Sequence, residues 1–290
     1  MKLFVFGYGF SGAALARRLG GQGWRTTGTS RSAVTRAAMT DGGVAAVDPA
    51  DKQALTAALG EARAVLIASP PTAEGCPALT AVIPALARAR AFPDWIGYLS
   101  TTGVYGDHGG RWVFEETPLS ARSAEGARRV AAERDWLEVG RGMGLTVAVF
   151  RLPGIYGPGR SPLDRVRDGT ARRWNKPGQV FSRIHVDDLA AALAASIAQP
   201  RPGAIYNLSD DAPASAATVT ADAAKLLGVA PPPLEPFDEA HLAPAARRFW
   251  SENKRVANAR AKAELGWRPA YPTWREGLAA VLQSDLSPRP

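Results

Sequence analysis

The chain has 290 residues, of which 46% are apolar and 21% charged, with a formal net charge of +8 at pH 7 and a pI near 10.0. Such a composition describes a globular protein long enough for a large core, expected as one large domain with a smaller one attached. A single cysteine, Cys76, excludes an internal disulfide, and no apolar run approaches the roughly 20 residues of a membrane span, so a cytoplasmic protein is expected. The positive charge comes from arginines scattered among alanines rather than clustered with aromatic residues. With no nucleic-acid-reading motif beside it, it points to a small anionic molecule as partner, not to nucleic acid or a membrane.

In chain order, Lys2 to Phe6 is short and apolar, as a buried strand of a parallel sheet is. It runs into Gly7-Tyr8-Gly9-Phe10-Ser11-Gly12, and Ala13 to Leu19 then reads as a helix closed by Gly20-Gly21. Strand, glycine turn and helix in that order form a dinucleotide cradle: Gly7 makes the turn, Gly9 admits a pyrophosphate and Gly12 lets helix and strand pack closely. The amides of Phe10 and Ser11 open the helix toward the anion.

Trp24 to Thr29 is the second predicted strand. About 20 positions past the glycines an acidic residue suits NAD and a basic one suits the 2′-phosphate of NADP. Here Ser30-Arg31 occupies that place and no acidic residue precedes Asp41, so NADP is expected.

Further strands are predicted at Val44 to Val47, ending in Asp48, at Ala64 to Ala68, closed by Ser69-Pro70-Pro71, at Trp95 to Leu99, and at Leu145 to Phe150. Helices fall at Asp51 to Leu59, Leu79 to Ala91 and Ala124 to Val139. The alternation predicts an α/β fold, a doubly wound parallel sheet of Rossmann type, with ligands beyond the carboxyl ends of the strands near Arg31, Ala68, Ser69, Pro70 and Thr101. Pro231-Pro232-Pro233 reads as a rigid linker and the tail from Ser287 as a loose end.

Four later stretches carry a family likeness: Thr101-Thr102-Gly103-Val104-Tyr105-Gly106, Arg151 to Gly159 (RLPGIYGPG), Ile184 to Ala190 (IHVDDLA) and Ala204 to Leu208 (AIYNL). With Glu264-Leu265-Gly266-Trp267 near the end, the chain resembles the extended short-chain dehydrogenase/reductases of the NAD-dependent epimerase/dehydratase type. The resemblance implies that Thr101 is the catalytic Ser/Thr, that Asp48 meets the adenine and that Pro153 lines the nicotinamide. It also implies an NADP-binding domain from 1–156 and 181–209, and a discontinuous substrate domain from 157–180 and 210–290. The long helix from Ala124 suits a homodimer. Asp187 or Asp188 is expected to cap the alanine-rich helix that follows, and no metal is expected, because His185, Asp187 and Asp188 are too close in sequence to converge on one ion.

One departure stands out. The family's Tyr-x-x-x-Lys pair falls on Glu125 and Arg129 here, and no tyrosine anywhere is followed by lysine four residues on. An unassisted phenol of pKa near 10 is about one part in a thousand ionised at pH 7, a handicap of roughly 4 kcal/mol. Two readings follow: an oxidoreductase or epimerase-like enzyme whose proton donor is Thr101, Tyr105, Tyr156 or Glu125, and a non-catalytic NADP-binding sensor or partner-binding protein. Arg172, Arg173, Trp174 and the run Arg247-Arg248-Phe249-Trp250 are candidates for an anionic, ring-bearing substrate.

Overall fold

A computed structural model of the chain describes residues 1–242, 247 and 249–286; Arg248 and the tail from Ser287 lie outside the described residues. Seven parallel strands form the main sheet: β1 (Lys2–Phe6), β2 (Arg25–Thr29), β3 (Ala45–Val47), β4 (Ala64–Ile67), β5 (Trp95–Thr101), β7 (Val147–Leu152) and β11 (Ile205–Asn207). Their spatial order is β3-β2-β1-β4-β5-β7-β11. The chain winds outward from β1 in one direction and then returns to its other side with β4. The crevice beyond the carboxyl ends of β1 and β4 is therefore the switch point at which such sheets bind ligands.

Alternation along β1 explains the two faces. Leu3 and Val5 meet α1 (Phe10–Gly20), α7 (Val186–Ala198) and α9 (Ala259–Leu265) through Leu15, Leu19, Leu189, Leu193 and Leu265. Phe4 and Phe6 face α3 (Lys52–Gly60), α4 (Pro77–Ala89) and α5 (Ala124–Met143) through Leu55, Leu59, Val82, Leu86 and Trp136. Burial on both faces is what a near-continuous apolar strand requires. One helix not expected from sequence is α2 (Ala33–Asp41), in which Met39 is the only buried residue. A helix with so little apolar face leaves no periodic signal.

A second apolar cluster gathers Tyr156, Leu163, Val219, Ala223, Trp274 and Leu278, drawn in part from α6 (Pro162–Arg167), α8 (Ala216–Leu226) and α10 (Trp274–Leu286). Short parallel pairs flank it: β8 (Gly154–Tyr156) with β10 (Arg183–His185), and β9 (Arg173–Asn175) with β12 (Leu234–Pro236). β13 (Arg255–Val256) pairs with β6 (Trp112–Val113), and Ala261, Leu265 and Trp267 pack into the main core.

The cap of α7 also differs from expectation. His185 is the N-cap, its Nδ1 accepting from the Asp187 amide at 3.2 Å, and burial lowers its pKa. Asp188 instead accepts from the amides of Ala270 and Tyr271, at 2.6 and 3.1 Å, and so pins the approach to α10. A buried carboxylate finds donors wherever the fold brings them, and here they lie over 80 residues away.

Arg151 on β7 is a buried charge. Its guanidinium pairs with Glu133 of α5 at 2.8 Å and donates from Nη1 to the Tyr105 hydroxyl and the Glu115 carbonyl, both at 3.0 Å. Both charged side chains are 3% exposed. Removing one partner of such a pair strands the other's charge. Glu133→Ala should therefore lower unfolding free energy by about 3–5 kcal/mol in urea titrations, and a loss below about 1 kcal/mol would show that Arg151 does not depend on this carboxylate.

Candidate active site

The turn after β1 is built for close backbone approach. Gly7 has φ +88°, and a Cβ there would lie 2.8 Å from the Ser69 nitrogen. A Cβ on Gly12 would lie 2.8 Å from Cγ1 of Val5, so helix and strand pack without a gap. Gly9 is different: its backbone is extended, it caps α1 without a side-chain bond, and a Cβ there would meet nothing within 4 Å. Space is thus open over the first turn of α1, where the amides of Phe10, Ser11 and Gly12 have no acceptor within the helix and the dipole favours an anion. Thr29 at the end of β2 fixes the turn, accepting from the Gly7 amide on Oγ1 and from the Tyr8 amide on its carbonyl, each at 2.9 Å. The buried Ser69 Oγ, beside Gly7, has no partner within the protein. These features fit the pyrophosphate of a dinucleotide.

At the far end of the crevice lie Ser30, the exposed Arg31 and Asp48. Sequence reasoning missed Arg36, which sits in the helix that gave no apolar signal. It donates to the carbonyls of Ser30 and Arg31 at 2.8 and 3.0 Å and pairs with Asp48 at 2.9 Å. Asp48 also accepts from the Ala50 amide at 2.9 Å. Arg36 thereby shapes the Ser30-Arg31 corner and holds the carboxylate that the family likeness assigns to adenine.

At the other end is a cleft of about 370 Å³, lined by Ser11, Ala68, Thr101, Glu125, Arg129 and Pro153 among others. Thr101 ends β5, its Oγ1 accepting from the Gly103 amide at 3.1 Å. Next to it the Oγ of Ser100, a residue only 5% exposed, has no partner within the protein. Glu125 and Arg129 project from α5 into this cleft, so the register that put them in place of tyrosine and lysine brings them to one wall. Arg129 donates to the Leu99 carbonyl and lies 5.8 Å from the centre of the Tyr98 ring. Glu125 is exposed at the rim and so lacks the burial that a buried-acid role needs.

Tyr105 requires correction as a catalytic candidate. Its side chain is fully buried, and its hydroxyl donates to Asn207 Oδ1 at 2.7 Å and accepts from Arg151. Burial raises its pKa despite the opposing Arg151 charge. The phenol cannot reach a substrate in the cleft from that position. Tyr156 lies in the second apolar cluster, where burial likewise raises its pKa.

Among the cleft residues that escaped the sequence reading are Glu252 and Lys254. No motif spacing marked them, because they come from a segment about 150 residues beyond the Val104-Tyr105-Gly106 turn that Lys254 touches. A second cavity of about 510 Å³ shares Gly154, Phe181, Ser182 and Phe249 with the cleft and is lined by Arg165, Arg172, Trp174 and Trp250. The structure thus brings Arg172, Trp174, Phe249 and Trp250 to one cavity. Arg172 also pairs with Glu235 at 3.2 Å, and Arg173 donates to the carbonyls of Pro232 and Ala217. Arg247 donates to the Leu242 carbonyl at 3.0 Å. Among the described residues no group of three or more His, Cys, Asp or Glu is placed to hold a metal, and no helix is long and apolar enough to cross a membrane.

A parallel sheet of this order, with a glycine cradle at its switch point and a cleft at the end of β5, defines a Rossmann-type nucleotide-binding protein. The model of the NAD-dependent epimerase/dehydratase family matches residues 3–209, and the chain belongs to that family. It is 31% identical over 245 residues to Protein YeeZ of Escherichia coli K12, covering 80% of this chain and 85% of that protein. Among solved structures, a functionally unknown conserved protein from Silicibacter pomeroyi is 47% identical, with a TM-score of 0.89 and 99% of each chain covered. The UDP-glucose 4-epimerase of Thermus thermophilus, solved with NAD, shares the fold at 21% identity, with a TM-score of 0.78 and 98% of each chain covered.

Because the Gly9 position is open and its backbone extended, Gly9→Val should fold normally while its side chain fills the approach of the pyrophosphate. Calorimetric titration with NAD⁺ and with NADP⁺ should then show dinucleotide affinity reduced roughly 100-fold or more with little change in melting temperature. Undiminished affinity would mean that the turn does not hold the cofactor.

Proposed function

We propose that this protein is an NADP-dependent oxidoreductase, of reductase or epimerase type, that acts on a small anionic substrate through an acid/base site other than the tyrosine–lysine pair. The observation that carries the cofactor choice is the corner after β2, where Arg31 is exposed, Arg36 braces the loop and no acidic residue stands before Asp41. A guanidinium there pairs with a 2′-phosphate, whereas NAD recognition calls for a carboxylate.

Gly7, Gly9, Phe10, Ser11 and Gly12 would hold the pyrophosphate, with Ala68, Ser69 and Pro70 along the crevice and Pro153 at the nicotinamide. Bound there, the nicotinamide would give or take a hydride. Thr101 would hydrogen-bond the substrate's reacting oxygen, while the adjoining arginine- and tryptophan-lined cavity supports an anionic, ring-bearing substrate. In this reading residues 1–156 and 181–209 bind cofactor, and 157–180 with parts of 210–290 choose the substrate.

One observation favours the non-catalytic alternative, a cofactor-binding sensor. Arg129 stands where the family has lysine, is bound to the Leu99 carbonyl and, as a guanidinium, does not release a proton near neutral pH.

Calorimetry should give a ten- to hundredfold preference for NADP⁺ over NAD⁺ at low salt, about 1.5–3 kcal/mol, and Arg31→Ala should erase it. Equal affinities in the native protein would remove NADP from the reading. Under a panel of aldehydes, ketones and quinones, NADPH consumption should be detectable, and Thr101→Val should lower kcat by about 10²–10³-fold with NADP⁺ affinity within a few-fold. Tight binding without any turnover would favour the sensor.

A further inference from the structure

We propose that Lys254, paired with Glu252, is the proton donor of the cleft, taking the place of the absent tyrosine–lysine pair. This inference rests on the oxidoreductase reading. Among the described residues that line the cleft, the serines and threonines are alcohols, and Arg129 and Arg160 are guanidinium ions; neither class exchanges a proton readily near neutral pH. Glu125, Glu252 and Lys254 remain. Glu125 lies exposed on the rim, whereas Glu252 and Lys254 have side chains only 11% and 9% exposed and form an ion pair inside the wall.

The position of Lys254 is fixed from several sides. Its Nζ donates to the Gly106 carbonyl at 2.7 Å, at the end of the same turn that Thr101 begins, and to Glu252. Between them Asn253 receives a bond from the Val180 amide, donates through its own amide to Asp107 at 2.8 Å, and accepts on its carbonyl from the amides of His108 and Gly110. Val256 donates to Ser182 Oγ at 3.0 Å. A strap held at so many points meets the demand of acid catalysis for a group positioned in advance.

The charges around it are also suited to the task. Burial pushes the Lys254 pKa down, while Glu252 and, more distantly, Asp107 pull it back up. Arg122 sits 3.7 Å from Asp107 and weakens that second pull. Glu125, Arg129 and Arg160 face the same cleft. A lysine moved toward neutrality is a better proton donor than one at its ordinary value. In carbonyl reduction a reduced nicotinamide held beside the cleft would supply a hydride to carbon. The Lys254 N–H bond breaks as the new O–H bond forms, and the neutral amine regains its proton from solvent. The product is an alcohol and the cofactor leaves oxidised. Oxidation runs the same transfers in reverse.

The test uses the full chain with NADPH and 9,10-phenanthrenequinone or 4-nitrobenzaldehyde as carbonyl probes. Lys254→Met should lower kcat about 10²–10⁴-fold with NADP⁺ affinity within a few-fold. Lys254→Arg keeps the charge and a donor to Gly106, so a purely structural role would be rescued by it; the proposal expects no rescue. Reduction needs the protonated amine, so kcat/KM should fall as pH rises through the Lys254 pKa. Glu252→Gln removes the anion that raises that pKa and should move the alkaline limb to lower pH. Activity that Lys254→Arg restores, or a limb that Glu252→Gln leaves in place, overturns the assignment alone. No NADPH consumption by the native protein with either probe overturns the oxidoreductase reading and the assignment with it.

Discussion

A guanidinium buried against the main sheet has to be neutralised and hydrogen-bonded, and the way Arg151 on β7 is satisfied ties together elements that wall the cleft. Glu133 neutralises it from α5, which sets the rotation of that helix and hence the wall on which Glu125 and Arg129 stand. Tyr105 and the Glu115 carbonyl take its remaining donor, and Glu115 in turn accepts from the Asn207 amide at 2.9 Å. One network therefore ties β7, α5, the turn after β5 and β11 together. The Gly106 carbonyl that holds Lys254 is the next residue along that turn. Buried polar networks of this kind act as a unit, since any member left unpaired bears the full desolvation cost.

This network changes the meaning of three of the sequence stretches that carried the family likeness. Tyr105 of the first, Arg151 of the second and Asn207 of the fourth meet one another in the interior rather than at a ligand. They are there because polar side chains buried against a parallel sheet covered on both faces are tolerated where they satisfy each other. Thr101 and Pro153, near them in sequence, do face the cleft. A single motif thus mixes scaffold with site, and a linear reading cannot separate the two when side chains a few positions apart point in opposite directions.

The two ends of the crevice are built on different principles. At the glycine turn the fold offers backbone amides, a helix terminus and absent side chains, all fixed by local conformation. The glycines suffice to specify it. At the cleft beside Thr101 the lining groups come in part from β5, α5, the turn after β7 and the strap around Lys254, elements spread from residue 99 to 256. Their chemistry depends on burial and on partners that only folding supplies. The exposed Glu125 and the buried Glu252 have the same carboxyl group and opposite surroundings.

By itself the sequence determined six of the main sheet's strands, the doubly wound class and the glycine turn, but not the seventh strand, β11. Short apolar strands, glycine turns and helix formers are local signals, and Gly7 to Gly12, the corner at Arg31 and the place of Glu125 and Arg129 could all be read from spacing. The departure from the tyrosine–lysine pair was legible for the same reason, since both positions lie on one helix. Tertiary structure alone decided that Tyr105 is buried, that His185 rather than Asp187 or Asp188 caps α7, that Arg36 braces the Ser30-Arg31 corner and that Lys254 lines the cleft. Each of these depends on a contact between residues whose pairing no local periodicity encodes, or on a helix with almost no buried face. Burial and partnership, which set the protonation of a lysine or a phenol, are properties of the folded whole.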